Sequence, residues 1–208
     1  MVKLKSETMT HVLKMLLWAL VALGGLDAAS MIVYASDYEA FLDFIYPFYG
    51  FIDVVSYYLY FIIIVVYLIW IYRVHMDMQS RFPRFFRSPG MALVCTMVPF
   101  YNLYGIPSIY RTIGREYMNN LRLQKLGRTI HRLGIPLLLL LMLTGYTNRY
   151  IAGTAEVADG LLLWSSFLQL ALYVVFLQLC LKVSQGLEDT TIPVVEPVQD
   201  EQAAPTAL

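Results

Sequence analysis

Residues 59–72 form an unbroken apolar and aromatic run with no charged side chain and no Ser, Thr, Asn, Gln or His. A helix of that composition has no polar face to turn toward water, so it belongs in a large soluble core or in lipid. Residues 135–143 repeat the pattern. Hydrophobic residues make up 59% of the 208 and charged ones 14%, against about 45–50% and about 25% in soluble domains. Because the excess falls in runs, lipid is the better host. The expected fold class is all-α, an integral membrane helical bundle.

Four stretches approach the roughly 20 helical residues that a hydrocarbon core requires: about 12–34, 51–72, 133–150 and 160–182. Lys3, Lys5 and Lys14 ahead of the apolar run 15–26 have the outline of a secretory signal. Asp27 then stands at the −3 position for cleavage after Ala29, where a small residue is needed, so a retained transmembrane helix is expected. A fifth apolar stretch, 91–110, contains Pro99, Asn102, Gly105 and Pro107. Two prolines and a glycine break a continuous helix, since proline lacks the N–H and crowds the preceding turn.

The positive-inside rule decides between four spans and five. Arg73, Arg81, Arg84 and Arg87 precede the broken stretch, and Arg111, Arg115, Arg122, Lys125, Arg128 and Arg132 follow it. Both groups are cytoplasmic only if residues 91–110 enter the membrane and return. Every Lys and Arg except Arg149 then lies inside. The loop 35–50, with Asp37, Glu39 and Asp43 and no basic residue, lies outside with Glu156 and Asp159. The expectation is a multi-pass protein of the inner (cytoplasmic) membrane with both termini cytoplasmic and a re-entrant segment. Trp18 and Trp70 fall near the inner boundary and Trp164 near the outer one, as interfacial Trp does.

Along 107–132 and its flanks, Ile106, Ile109, Ile113, Tyr117 and Leu121, then Leu126, Ile130 and Leu133, recur at helical spacing among the basic residues. That pattern predicts a basic interfacial helix on anionic headgroups. A docking face for a cytoplasmic protein is the sharper use of the same surface, and nucleic acid is not expected. The transmembrane unit is taken as 1–187, and residues 188–208, acidic and proline-containing, as a disordered cytoplasmic tail.

Trp70-Ile71-Tyr72-Arg73, Ser88-Pro89-Gly90-Met91-Ala92 and Val98-Pro99-Phe100-Tyr101-Asn102-Leu103-Tyr104-Gly105-Ile106-Pro107 resemble an uncharacterised bacterial membrane family. Its members read W-x-x-R, S-P-x-x-A and P-x-x-N-L-x-x-P in that order. The resemblance covers about 70–107 and implies a four-helix membrane architecture with no assigned activity. After Arg73 the family continues with further basic residues and an Asn, where Val74-His75-Met76-Asp77 stands here.

Asp27 lies within a span, where a charge is costly and normally has a partner or a task. Arg149 with Asp53 or Asp27 makes a structural pair; a cation-handling Asp27 or a protonated, hydrogen-bonded one are the other uses. Gly24/Ala28 and Gly25/Ala29 form small-xxx-small pairs suited to close helix packing or a homo-oligomer contact, and Gln169 and Gln178 can bond across helices. Broken backbone at 99–107 is tolerated only where protein buries it or it lines a cavity, and Pro107 suits the first turn of the next helix. His11, His75 and His131 show no metal spacing, Cys95 and Cys180 read as small buried hydrophobes, and no enzyme signature occurs. No cofactor or metal is expected. The expected function is a non-enzymatic oligomeric scaffold, sensor or anchor that recruits a cytoplasmic partner through its basic inner face. The alternative is a small ion channel or transporter component using Asp27 and the 99–107 break.

Overall fold

The computed structural model describes residues 4–98 and 101–190, and every regular element among them is helical. In order they are α1 (Glu7–Ser36), α2 (Tyr38–Ala40), a π-helical turn (Phe41–Ile45), α3 (Tyr46–Arg81), α4 (Pro89–Met97), α5 (Tyr101–Met118), α6 (Gln124–Gly153) and α7 (Asp159–Asp189). Four helical stretches are long and apolar enough to cross a membrane: Glu7–Ser36, Tyr38–Arg81, Gln124–Gly153 and Asp159–Asp189. Only 22% of the most apolar window of each is buried inside the protein. Phe61, Ile62 and Val65, for example, stay exposed on the outside of α3, a surface that calls for an apolar surrounding.

The four long helices run up and down. Lys14 Nζ stands 3.8 Å from Glu188 Oε1, and the Asp77 carboxylate accepts from the backbone N–H groups of Lys5 (3.0 Å) and Ser6 (2.9 Å). These contacts join the start of α1 to the ends of α3 and α7 at what is here termed the basic end. At the opposite, acidic end, Tyr49 on α3 donates to Asp27 on α1 at 2.9 Å, and Ser165 on α7 to Asn148 on α6 at 3.3 Å.

The basic half holds the dense core. Trp70, Ile71, Val74, Ile109, Tyr110 and Ile113 are fully buried. The Trp70 indole donates to Thr10 Oγ1 at 2.9 Å, so Trp70 is a core residue and not part of an interfacial belt. Trp18 and Trp164 are exposed. α5 and α6 pack closest because glycine faces glycine: a Cβ on Gly114 would lie 2.8 Å from the Gly127 carbonyl oxygen, and one on Gly127 2.6 Å from that of Gly114. Such approach is what small residues permit between helices.

α4 packs against α3 and α5, and α5 against α6, so the α4–α5 hairpin stands between α3 and α6. Ser88 starts it by accepting from Met91 N–H at 3.2 Å, with Pro89 in the first turn, where its missing N–H costs nothing. Thr96, Met97 and Asn102 near the hairpin's turn share a wall with Ile63 and Ile64, close to the middle of α3.

Several boundaries differ from expectation. Residues 107–132 are not one helix: α5 ends at Met118 and α6 begins at Gln124. Asn120 Oδ1 accepts from Arg122 N–H at 3.0 Å, a side-chain turn that competes with helix continuation. Leu121, on the expected apolar stripe, is 91% exposed. The stripe of Ile106, Ile109, Ile113 and Tyr117 is buried by protein and faces no headgroups. Pro107 lies inside α5, beyond its first turn. The stretch expected as a loop at 35–50 is largely helical, since Asp37 accepts from Ala40 N–H at 3.0 Å and caps the turn that leads into α3. Glu188 and Asp189 belong to α7; the remainder of the expected tail, 191–208, lies outside the described residues.

Candidate functional site

Two chambers lie end to end in the bundle, one at its acidic end and one near its middle. The outer one, about 290 Å³, is bounded by all four long helices. Its polar wall is Asp27, Tyr49, Asp53, Ser56, Asn148, Ser165, Ser166, Gln169 and Tyr173. The wall holds two carboxylates and no basic side chain. Asp27 is half-buried and accepts from Tyr49, while Asp53, on the opposing helix, is exposed. Gln169 donates its amide to the Tyr173 hydroxyl one turn on, which orients both toward the same face of α7.

The second chamber, about 410 Å³, lies deeper and shares Leu20 and Tyr173 with the first. Its wall is mainly apolar, including Leu17, Ile63, Leu141, Leu172 and Phe176, with Thr96 and Asn102 contributed by the α4–α5 hairpin. Below it Tyr110 donates to Tyr67 at 3.1 Å, and Tyr117 to the Val183 carbonyl at 2.9 Å. These bonds tie α5 to α3 and α7, closing the basic half. On α6, Thr144 lies between Leu141 and Asn148, which line the two chambers, and its buried hydroxyl has no hydrogen-bond partner.

The hairpin depends on Gly105, where a Cβ would meet the carbonyl of Cys95 and lie 3.0 Å from Cys95 Cα. Pro107 is buried in the same helix. Pro99 lies outside the described residues. The structure therefore brings together Asp27, Asp53 and, one chamber deeper, Asn102. Arg149 is exposed on α6, next to Asn148 but not in the wall. In the small-residue pairs, Ala28 is buried and a Cβ on Gly24 would stand 3.1 Å from the Tyr173 ring, so this pair seats α7. Gly25 has nothing within 4 Å, and Ala29 is exposed. Gln178 is exposed too, so only Gln169 serves the interior.

The basic residues collect at the other end. Arg84, Arg111, Arg115, Arg122, Lys125, Arg128 and Arg132 are exposed, whereas Arg73, Arg81 and Arg87 are half-buried. Arg73 donates to the Lys5 carbonyl at 3.4 Å, Arg81 to Thr190 at 3.1 Å and Arg87 to Ser108 at 2.9 Å. Those three tie elements together as much as they present charge. Cys95 and Cys180 are free and buried, and no group of metal-ligating side chains occurs among the described residues.

Sequence reasoning missed Tyr49, Asn148, Ser165 and Tyr173. Asn148 and Ser165 carried a signal, being polar residues inside apolar spans; Tyr49 carried none in a segment crowded with tyrosine. No family model, curated protein or solved structure matches this chain. The family resemblance therefore stands on the motif residues themselves, and the interval from Leu103 to Pro107 is one residue longer than the family pattern.

Proposed function

We propose that this chain is a non-enzymatic channel or transporter component that handles small cationic solutes through the chamber at Asp27. In this reading four helices span the inner membrane with both termini cytoplasmic, and α4–α5 is a re-entrant hairpin that closes the inner half. The observation that carries it is the acid-lined outer chamber, which shares Leu20 and Tyr173 with a deeper chamber that Asn102 helps to line. An intramembrane carboxylate facing a cavity is the usual mark of an ion or solute path, and broken backbone is tolerated where it lines one. The test is monovalent-cation flux into liposomes containing the purified chain. Asp27→Asn should lower flux at least tenfold, while Asp43→Asn, outside the chamber wall, should leave it unchanged. Absence of flux under every cation gradient, or equal flux in Asp27→Asn, counts against the reading.

A second reading, a scaffold that recruits a cytoplasmic protein or rests on anionic headgroups, draws on the exposed arginines at the basic end. Exposed Ala29 and half-buried Gly25, where a Cβ would meet nothing within 4 Å, offer a face for a homo-oligomer in the same reading. It predicts that removing the charges of Arg111, Arg115 and Arg122 releases the bound partner, and that Asp27→Asn changes nothing.

A further inference from the structure

The two chambers differ in chemistry along one line. The outer one presents Asp27 and Asp53, and the deeper one is walled mainly by aliphatic and aromatic side chains. A bare or hydrated inorganic cation held at Asp27 would leave the deeper chamber without an occupant. Apolar cavities of this kind are not filled by water, which finds too few polar partners there. The ligand that completes both is itself amphiphilic.

Access points the same way. α4 and α5 occupy the space between α3 and α6 in the basic half, and α3 and α6 have no extensive packing of their own. Beyond the hairpin's turn, the outer chamber is bounded by the four long helices alone, so the α3–α6 gap faces the surroundings sideways.

We propose that the paired chambers bind one amphiphilic amine, its ammonium group between Asp27 and Asp53 and its alkyl or aryl tail in the chamber walled by Ile63, Leu141 and Phe176, entering between α3 and α6. This rests on the solute-handling reading and names its substrate class. The two carboxylates repel anionic heads, and a neutral alcohol gains no ion pair from them. A carboxylate at membrane depth is stabilised by such a partner.

The test is photolabelling of the full chain in nanodiscs of zwitterionic lipid, using octylamine with a diazirine on its chain. The proposal predicts adducts on the α3, α6 and α7 segments that line the deeper chamber. It predicts displacement by octylamine at least tenfold more effective than by octanol or by methylammonium, tenfold being the size of a modest ion-pair preference. Asp27→Asn with Asp53→Asn should abolish the preference for octylamine over octanol while labelling persists. Leu141→Trp, which fills the deeper chamber without touching the acids, should remove the labelling. Adducts spread over the outward face of α3 at Phe61 and Val65, or equal displacement by octanol, would overturn the proposal. If labelling fails while inorganic-cation flux still depends on Asp27, the amphiphile falls and the solute-handling reading stands. If labelling succeeds while flux is absent, binding stands and passage falls.

Discussion

Gly127→Ala and Gly145→Ala lie in the same helix and differ in one respect that the structure makes quantitative. Both exchange glycine for alanine inside α6 and gain about 1 kcal/mol of helix propensity. At Gly145 the new methyl meets nothing within 4 Å. At Gly127 it would stand 2.6 Å from Gly114 O and Met118 N and 2.8 Å from Tyr117 Cβ. Carbon contacts are comfortable at about 3.5–4.0 Å, so α5 must retreat by about 1 Å along a face whose neighbours Ile113 and Tyr117 are fully buried. Forcing a methyl into packing of this kind costs about 1–3 kcal/mol. The propensity gain is common to both variants and cancels in the comparison. For a chain of this size 1 kcal/mol moves the melting temperature by about 2–4 °C. Thermal unfolding of both variants in one detergent should therefore separate them by several degrees, Gly127→Ala the lower. Melting of the two within a degree of each other would refute the close α5–α6 approach.

The remaining predictions concern buried polar groups. Asp77, 4% exposed, accepts two N–H groups that precede α1. Asp77→Ala should cost about 1–2 kcal/mol, as loss of a helix cap does, and hydrogen exchange should accelerate at residues 5–10 ahead of the rest of α1. Tyr67→Phe leaves the Tyr110 hydroxyl buried without its acceptor and should cost about 1–3 kcal/mol, whereas Tyr67→Phe with Tyr110→Phe should cost clearly less than the sum of the single changes. Chemical or thermal unfolding of the four proteins in a double-mutant cycle reads that coupling directly.

What was legible in the sequence follows from where the signal is local. The four long helices announced themselves because runs such as 59–72 leave no alternative to burial or lipid. Asp27 was legible as a charge inside an apolar span. The boundary of α6 was not, because Arg128 and Arg132 suggested a surface helix although charge does not end a helix. The true interruption is the Asn119-Asn120 turn, and the exposed Leu121 shows the apolar periodicity slipping phase there. Trp70 was assigned to the membrane interface because its partner Thr10 is 60 positions away, beyond any window of periodicity. The chambers were illegible for the same reason: Tyr49, Asn148 and Gln169 come together only when α3, α6 and α7 are packed around α1.

The central claim is that α4–α5 enters the bundle and returns on the side from which it came. Phe86, between α3 and α4, is 93% exposed and Leu121, between α5 and α6, 91% exposed, so Phe86→Cys and Leu121→Cys make sensitive probes. Each is placed singly in a background with Cys95 and Cys180 replaced by alanine, and intact cells are treated with a membrane-impermeant thiol reagent before and after opening. The account predicts the same behaviour at both positions, protection until the cells are opened. Labelling of one from outside while the other stays protected would make 91–110 a fifth span and contradict the account.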